Sequence, residues 1–484
     1  MEMVSRRSAL RAGLVSTVAV GGLAVSEAAA QAAPVGATAD TGVGWISVLD
    51  HGAVGDGTTD DTAAIQATLN AAATGKQSVY FPAGRVFRVR DQLTAQGLTD
   101  VVIAGDGATL ALTGAAPSVI PTQRAVLLFR DCRRVKVVGL TVRDTDRSQQ
   151  YDGVRISSST EMVVDGVRVH SVRVNGIVVF DAVPRASDDV LITNCTTEDT
   201  RFGISSNGKD VRITDNHVAM DWPSTDEARR YGGVHPGYGS DSDYFDGICV
   251  WAGADRTVVA NNTITECGQS GVYVQAVSNI VVADNTVTGC QLRGIEIDGL
   301  GDPGKSVHGR AIGVSITGNV VVNCIGQINL IATTDATVVG NRVANGSATR
   351  QSSGIAVNLK CSKIVVSSNH VRQANPTMPA LFVQDNDPKK PEEVLISTDV
   401  TLAWNTIEGT IPYTAPAETV VIHRSGPAMI TAQGSLKTSG KVIAGGGLGV
   451  GNSVAATSLG SMVRKMEVFS STGQSLGWVA IHNS

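Results

Sequence analysis

Aromatic and charged side chains are scarce in this sequence, and the scarcity limits the possible fold classes. Phe, Trp and Tyr number only 8, 5 and 7 among 484 residues, and charged residues make up 17%. Hydrophobic residues still reach 42%, which excludes intrinsic disorder. The core must therefore consist of small and β-branched side chains. Together with 53 glycines, this composition favours many short strands and tight turns over a helical bundle.

An excess of positive charge is also missing. The net charge of -5 gives no electrostatic basis for binding nucleic acid. The sequence has no CxxC pair, and its number of cysteines is odd. A disulfide framework is typical of small secreted domains, whereas this chain is large enough to be stable by burial. We therefore expect seven free structural thiols, at Cys132, Cys195, Cys249, Cys267, Cys290, Cys324 and Cys361.

Long hydrophobic runs are missing beyond the start of the chain, so no membrane partner is expected. At the start, Arg6 and Arg7 precede an apolar run from Ala12 to Val25 and then several small residues. This order predicts a twin-arginine signal peptide over residues 1–32, because the apolar run is too short to span a bilayer. An ordinary Sec signal is the alternative, and in both cases we expect a secreted protein.

Residues 136–410 repeat one pattern, in which an apolar β-branched triplet is followed by one or two polar residues and Asn. Successive asparagines are 22, 46, 23, 34, 22, 28 and 36 residues apart, so the basic period is 22 or 23 residues and larger spacings carry insertions. A second short strand follows each Asn, usually after Gly. The repeating asparagines are Asn194, Asn216, Asn262, Asn285, Asn319, Asn341, Asn369 and Asn405.

A repeat of this length buries its apolar face only by stacking on its neighbours. Leucine-rich repeats need a Leu pattern that is missing, and propeller blades need about 40 residues. The sequence therefore predicts an all-β fold, a right-handed parallel β-helix with one coil per repeat. The asparagines should form a ladder at a turn, where Asn tolerates left-handed backbone. Three thiols that each lie five residues after an Asn should form a buried stack: Cys267, Cys290 and Cys324.

Residues 46–66 and 79–84 have a distinct pattern near the beginning of the chain. A strand and a turn lead into a helix that is predicted from about Asp60 to Ala73, with Thr59 or Asp60 as its cap. The helix should cover the open end of the β-helix, where strand edges would otherwise be exposed. Its apolar stripe consists of Ile65, Leu69 and Ala72.

These two segments resemble the N-terminal module of the pectate-lyase-like superfamily, which includes polygalacturonase-related hydrolases, rhamnogalacturonases, lyases, epimerases and phage tailspikes. The resemblance implies a β-helix over residues 43–425, with a cap over residues 43–90, and an activity on carbohydrate. The Asn-Thr-Asp, Gly-His-Gly and Arg-Ile-Lys motifs of the polygalacturonases are absent from the sequence, as is the Asp-Pro-His motif of the alginate epimerases.

The Gly-led strands predict where a functional site lies. Residues one and three after Gly should face inward, while residues two and four should face solvent. Stacked coils then arrange the outward residues in columns. Three adjacent coils bring carboxylates, aromatic rings and amides to one face, as in a carbohydrate-binding surface: Asp246, Trp251, Tyr273, Gln275, Arg293, Glu296 and Asp298.

Two insertions border the same face and would form the walls of a cleft. The second insertion follows Asp298 and contains Asp302, Lys305, His308 and Arg310. The first runs from Asp221 to Tyr244 and contains Trp222, Tyr231, His235, Tyr238, Asp241, Asp243 and Tyr244.

Hydrolysis of a glycosidic bond needs one protonated and one ionised carboxyl group. Asp246 and either Glu296 or Asp298 would lie about 9 to 10 Å apart, which suits an inverting pair with a water between them. Asp243 is a further candidate catalytic carboxylate. The sequence thus predicts a glycoside hydrolase that acts on a polysaccharide or oligosaccharide without a cofactor. The expected substrate-binding residues are Trp251, Tyr273, Gln275, Arg293, His235 and Lys360.

A polysaccharide lyase and a non-catalytic glycan-binding or tailspike-like protein are the alternatives. A lyase would neutralise a uronate carboxylate with Arg293, or with a Ca²⁺ held by Asp241, Asp243 and Asp246. It would abstract the C5 proton with Tyr273, His235 or Lys360. Clustered acids repel an acidic polymer unless a metal intervenes, so hydrolysis is the preferred interpretation.

Residues 426–484 differ from the repeats. A glycine-rich stretch precedes two alternating segments, Val463–Phe469 and Leu476–His482, which predict a hairpin in a small C-terminal β module. The segment resembles short C-terminal modules of phage tail proteins and of actinobacterial β-helix proteins, which implies a trimer contact. A second cap over the end of the helix is the alternative. We expect a monomer or a homotrimer.

Overall fold

The computed structural model describes residues 44–114, 124–145, 151–220, 245–299, 310–384, 396–416, 419–424, 430–433, 462–469 and 475–482. The signal peptide over residues 1–32 lies outside this range and stays a prediction. Within the described part of the chain, no helix is long and apolar enough to cross a membrane.

Three long sheets contain almost all of the described strands, which we number β1 to β42 in chain order. Sheet 1 consists of β1 (Trp45–Ser47), β3 (Ser78–Tyr80), β6 (Thr99–Ala104), β9 (Arg133–Val138), β12 (Thr160–Asp165), β15 (Asp188–Thr193), β18 (Lys209–Thr214), β21 (Val258–Ala260), β24 (Ser278–Ala283), β27 (Ala311–Thr317), β30 (Thr333–Val339), β33 (Ser362–Ser367), β36 (Thr398–Ala403), β39 (Val420–Arg424) and β40 (Ile430–Gln433).

Sheet 2 consists of β2 (Asp56–Asp60), β4 (Val86–Val89), β7 (Thr109–Leu112), β10 (Thr141–Asp144), β13 (Arg168–His170), β16 (Thr196–Glu198), β19 (His217–Ala219), β22 (Thr263–Thr265), β25 (Thr286–Thr288), β28 (Val320–Val322), β31 (Arg342–Asn345), β34 (His370–Gln373) and β37 (Thr406–Glu408). Sheet 3 consists of β5 (Leu93–Gln96), β8 (Arg124–Arg130), β11 (Tyr151–Ser157), β14 (Asn175–Val179), β17 (Phe202–Ser206), β20 (Asp246–Val250), β23 (Val272–Gln275), β26 (Arg293–Asp298), β29 (Gly326–Ile331), β32 (Ile355–Asn358), β35 (Pro379–Val383) and β38 (Ile411–Thr414).

Apart from the two ends of the β-helix, each coil contributes one strand to each sheet, and the strand order within a sheet follows the chain. Within these three sheets, neighbouring described strands are parallel, except that β40 pairs with β39 in antiparallel orientation. Inward side chains of the three sheets, mostly Val, Ile and Leu, form one continuous core. This arrangement confirms the predicted right-handed parallel β-helix.

Close stacking of the coils explains why Gly leads so many strands of sheet 3. A Cβ atom on Gly247 would lie 2.5 Å from the carbonyl oxygen of Gly271 and 3.0 Å from the Sγ atom of Cys267. A side chain at this corner would therefore force adjacent coils apart.

The first coil is closed by a helix, as the sequence predicts. The helix α1 spans Thr62–Gly75 and follows a short 3₁₀ helix, Val48–His51. Its residues Ile65, Leu69 and Ala72 are buried, and α1 packs against β1, β3 and β5. The predicted start at Asp60 is wrong by two residues.

The predicted N-cap is also different. The N-cap residue is Asp61, and its side chain makes no capping hydrogen bond to the helix. Its two carboxylate oxygens instead accept hydrogen bonds from the backbone N–H groups of Val54 and Gly55, at 2.6 and 3.0 Å. Asp60 accepts the N–H of Thr62 at 3.1 Å, so it performs the capping role from one position further out.

An asparagine ladder runs along a turn from Asn216 to Asn405. In it, the Nδ2 group of Asn262 donates to Oδ1 of Asn285 at 2.9 Å, and the same contact recurs in the following coils. Asn194 was expected in this ladder, and that prediction is wrong. Asn194 is exposed, and the backbone N–H of Cys195 contacts Oδ1 of Asn216 instead.

The expected left-handed backbone of the ladder asparagines is wrong as well. The residue before each ladder Asn takes this conformation, as at Asp215, Asn261 and Asp284, with φ values of 60°, 56° and 54°. The asparagine itself points inward, where its Nδ2 group also donates to a backbone carbonyl oxygen of the preceding coil, as from Asn262 to Ile213 at 2.9 Å. Asn194 has a φ of 54° because it occupies the preceding, left-handed position.

The seven cysteines are free and buried, as predicted. Cys267, Cys290 and Cys324 form the expected stack, with the Cys290 thiol between the other two. In the C-terminal region, β41 (Met462–Phe469) and β42 (Ser475–His482) form the predicted antiparallel hairpin.

Candidate functional site

The candidate site lies on the outer face of sheet 3, on strands β20, β23 and β26. The register places Cys249 beside Tyr273 and Tyr273 beside Glu296, as the columns predicted. The prediction that such positions face solvent is wrong for several of them. They point away from the main core and are nevertheless buried: Val178, Ser205, Cys249, Glu296 and Asn329.

Asp246 and Glu296 are joined by Ser270, which lies on the coil between them. The backbone N–H of Ser270 donates to Oδ1 of Asp246 at 2.7 Å. Its hydroxyl group donates to Oε2 of Glu296 at 3.0 Å. A serine therefore stands where the sequence predicted a water between two catalytic carboxyl groups.

Burial controls the charge of both carboxyl groups. Asp246 is only 1% exposed, and burial raises its pKa to about 7. Its Oδ2 atom has no hydrogen-bond partner, and the thiol of Cys249 lies beside the group. Burial also raises the pKa of Glu296, whose Oε1 atom accepts a hydrogen bond from Asn329 at 3.2 Å. Burial therefore favours the neutral form of Glu296 relative to an exposed glutamate.

Asp298 lies two residues further along β26 and is half-buried. Its Oδ2 atom accepts a hydrogen bond from the hydroxyl group of Tyr273 at 3.2 Å. Gln275 lies 3.5 Å from the same hydroxyl oxygen. Burial and the nearby Asp298 raise the pKa of Tyr273, so the tyrosine is a hydrogen-bond donor rather than a base.

Three aromatic rings border the carboxyl groups. Trp251 meets Phe202 edge to face at 5.4 Å between ring centroids, and Tyr273 in the same manner at 6.0 Å. Together with Val174 and Cys249 they form a small apolar cluster separate from the main core. Phe202 was missed by the sequence analysis, although its place before Gly203, in the column of Asp246, could have identified it.

Arg293 begins β26 beside Glu296, and it turns toward the next coil. Its side chain lies over Gly326, where a Cβ atom would be 2.7 Å from Cδ of Arg293 and 2.9 Å from Oγ of Ser352. The Nε atom is buried and has no hydrogen-bond partner. Arg293 therefore lies on the predicted face, with part of its guanidinium group unpaired.

Some predicted site residues are not brought to this face. Lys360 follows β32, three coils beyond the strand of Tyr273, and is exposed. Its carbonyl oxygen accepts a hydrogen bond from Arg310 at 2.9 Å, so both residues belong to a turn at the edge of sheet 1. The candidate residues Asp243 and His235 lie outside the described residues, as do the rest of the first insertion and residues 300–309 of the second.

A metal site is not evident in the described ranges, because no three His, Cys, Asp or Glu side chains there converge on one point. The Ca²⁺ site predicted for a lyase would need Asp241 and Asp243, which are outside those ranges. Asp246, its third predicted ligand, is directed at Ser270.

The arrangement can supply both components of acid–base catalysis. Glu296 is a buried carboxyl group with a raised pKa, and Asp298 is a more accessible one on the same side of the same strand. Since a strand rises about 3.3 Å per residue, the two side chains begin about 6.6 Å apart. Separations of roughly 6.5–9.5 Å are typical of inverting glycosidases.

Comparisons with known proteins agree on the architecture. The family described as "Right handed beta helix region" matches residues 125–310. No curated protein matches the chain significantly by sequence.

Several solved structures are similar to this chain. The A-module of mannuronan C-5 epimerase AlgE4 from Azotobacter vinelandii is 17% identical, with 77% of this chain and 97% of that chain covered and a TM-score of 0.53. The tailspike of E. coli bacteriophage HK620, in complex with a pentasaccharide, is 12% identical, with coverages of 78% and 80% and a TM-score of 0.55.

The Dettilon tailspike protein is 19% identical, with 75% of this chain and 68% of that chain covered and a TM-score of 0.50. At these identities the likeness concerns the fold alone. The family match and the sheet topology together establish that this chain is a right-handed parallel β-helix protein.

Proposed function

We propose that the protein hydrolyses glycosidic bonds of a polysaccharide or oligosaccharide on the outer face of sheet 3. Glu296 acts as the general acid and Asp298 as the general base that activates a water. The observation that carries the proposal is the contrast between these two carboxyl groups, one buried with a raised pKa and one half-buried. General acid–base catalysis needs this combination.

Asp246 has a supporting role in this proposal. Its carboxyl group is buried behind Ser270 and is too enclosed to contact a sugar directly. Through Ser270 it contacts Glu296, and the negative charge of Glu296, when present, adds to the effect of burial in raising the pKa of Asp246. This differs from the sequence prediction, in which Asp246 was itself one of the catalytic pair.

Trp251 and Tyr273 supply the apolar surface against which a sugar ring packs. Both are half-buried and in edge-to-face contact, and the hydroxyl group of Tyr273 donates a hydrogen bond to Asp298. Two of the structurally similar proteins are a mannuronan epimerase and a tailspike bound to a pentasaccharide, which supports a carbohydrate ligand here.

Hydrolysis is preferred to elimination because the two described residues that the sequence suggested as lyase bases, Tyr273 and Lys360, are poorly suited to that role. The raised pKa of Tyr273 makes its phenolate scarce, and Lys360 is three coils away. Both features support hydrolysis over elimination.

A glycan panel tests the proposal directly. Incubation should release new reducing ends without the absorbance of unsaturated uronates, and Asp298→Asn should lower the rate at least a hundredfold. The exposed turn residue Asp284 provides the control, since Asp284→Asn should leave the rate unchanged. Unsaturated products would establish a lyase, and binding without any product would establish a glycan-binding protein; either outcome overturns hydrolysis.

A further inference from the structure

A cavity of about 170 Å³ lies on the same face, directly beyond Glu296 toward the C-terminal coils. It exists because small residues stand where the preceding coils have larger side chains at the equivalent positions. Gly326 takes the place that Arg293 holds one coil earlier, and Ala356 takes the place of Glu296 two coils earlier. The missing side chains leave a hollow between β29, β32 and β35.

The walls of this cavity combine a cation, amides and apolar groups. Arg293 forms the end nearest the carboxyl pair, and Asn358 lies on the side. Met378 and Phe382 contribute the apolar part of the lining. A cavity of this size holds a single sugar ring, since pockets for drug-sized ligands measure about 300–1,000 Å³.

Arg293 is the unusual member of the lining. No carboxylate lies within 4.0 Å of its guanidinium group among the described residues, although Glu296 is only three residues away. Its Nη1 atom makes one long contact, 3.5 Å, to the carbonyl oxygen of Leu292, and its buried Nε–H has no acceptor. A buried donor without an acceptor costs free energy unless a ligand supplies one.

The position of the guanidinium group is built into the fold. Only glycine at position 326 leaves room for the Arg293 side chain to lie across the next coil. Glu296, the nearest acid, is occupied by hydrogen bonds from Ser270 and Asn329. The arginine is therefore held toward the cavity and away from internal pairing.

We propose that this cavity is a binding subsite for one acidic sugar, whose carboxylate pairs with the guanidinium group of Arg293. A planar carboxylate matches the fork of donors on a guanidinium group, which makes this pairing both strong and selective. Asn329 borders the cavity and also donates to Glu296, so the bound sugar lies next to the carboxyl pair. In its location beside the catalytic residues, the subsite rests on the proposed function.

The acids nearby do not prevent the binding of an anion. Burial raises the pKa of both Glu296 and Asp246, which favours their neutral forms and reduces the negative charge near Arg293. The apolar lining near Met378 and Phe382 packs against the sugar ring while the carboxylate faces Arg293.

Isothermal titration calorimetry of the full chain with monosaccharides tests the subsite without any turnover. The probes are D-glucuronate, D-galacturonate and D-mannuronate, each compared with the neutral sugar of the same configuration. At least one uronate should bind roughly tenfold more tightly than its neutral counterpart, because a charge-assisted pair is added.

Three variants identify the residues responsible. Arg293→Gln should abolish the preference, and Gly326→Ala should weaken it by displacing the arginine while preserving its charge. Arg342→Gln, on the exposed face of sheet 2, is the matched control and should retain the preference. Thermal unfolding of each variant shows whether it is folded. If Arg293→Gln does not fold, Arg293→Lys takes its place, and it should show an intermediate preference for uronates.

The results separate this inference from the proposed function. Equal binding of uronates and neutral sugars, absence of binding, or a preference that survives Arg293→Gln would overturn the subsite, even if glycan hydrolysis is observed. A preference that depends on Arg293 would support it, even if no glycan is cleaved.

Discussion

Two coils place an acid and an arginine at the same two positions of sheet 3, in opposite order. The two side chains form an ion pair in one coil but not in the other. In β11, Asp152 precedes Gly and Arg155 lies two residues after it; in β26, Arg293 precedes Gly and Glu296 lies two residues after it. Arg155 and Asp152 form an ion pair at 3.0 Å, whereas Arg293 lies over Gly326 of the next coil and makes no ion pair with Glu296 within 4.0 Å.

The difference shows how one backbone position serves either stability or function. Asp152 is fully buried and also receives a hydrogen bond from Asn175 at 2.6 Å, so both of its oxygens have partners within the protein. In β26, the following coil has Gly326, which lets the arginine lie outward over a cavity. Burial raises the pKa of the acid in both strands, so the difference lies in the arginine of β26, which keeps a buried Nε–H donor without an acceptor.

The largest effect on stability is expected at the buried ion pair of Arg155 and Asp152. Arg155→Gln leaves the buried Asp152 without its cation and should lower the free energy of unfolding by about 3 kcal/mol. Arg293→Gln is the same change at an arginine that has no carboxylate partner among the described residues, and it should lower the free energy of unfolding by less than about 1 kcal/mol. Urea unfolding of both variants measures the difference. Equal losses of unfolding free energy would show that Arg155 and Arg293 stabilise the protein to the same extent, which contradicts this comparison.

A smaller effect is expected at Asp246. It is buried like Asp152, but no arginine lies three residues after it, where Arg155 follows Asp152. Its pKa is raised to about 7 from 3.8, so the native state holds a proton that the unfolded state loses, and stability falls as pH rises from 5 to 7. This single group accounts for a loss of roughly 2 kcal/mol over that range.

Asp246→Asn should remove this pH dependence, since the amide cannot ionise and still accepts the N–H of Ser270. The exposed Asp284→Asn variant should retain it. Urea unfolding at pH 5 and pH 7 provides the measurement. An unchanged slope in Asp246→Asn would place the titrating group elsewhere.

The smallest effect is expected at Ser270, which is hydrogen-bonded to both Asp246 and Glu296. Ser270→Ala removes the hydroxyl donor to Glu296 and should cost about 1 kcal/mol. That hydrogen bond lowers the pKa of Glu296, so its loss should move the basic limb of the kcat/KM profile to higher pH. Ser315→Ala, on the outer face of sheet 1, should not shift the profile. A shift to lower pH would contradict the assignment of Glu296 as the acid.

Much of the fold and the membership of the site could be predicted from the sequence, because the repeat fixes the register. Once Gly247, Gly271 and Gly294 were aligned, Tyr273 and Glu296 had to be neighbours. Asn194 was misassigned because two consecutive turn positions both accept polar residues, and only the neighbouring coil shows that Cys195 occupies the buried one.

Other features of the site depend on contacts that the repeat does not encode. The burial of Asp246 follows from its hydrogen bond to Ser270 across the coils and from the aromatic cluster around Cys249. The cavity at Arg293 results from small residues in later coils, such as Gly326 and Ala356, which have no distinctive pattern in one dimension. The sequence therefore predicted which residues share the face but not which of them are accessible.

The most direct test of the account compares turnover with substrate binding in Glu296→Gln, using a glycan that the wild-type protein cleaves. Because the amide can preserve the contacts of Glu296 with Ser270 and Asn329 but cannot donate a proton as an acid, turnover should fall by about a thousandfold. The Kd of the glycan should stay within about threefold of the wild-type value, and Glu266→Gln, in an exposed turn, should change neither quantity. Turnover that survives in Glu296→Gln would contradict the central claim that this buried carboxyl group is the catalytic acid.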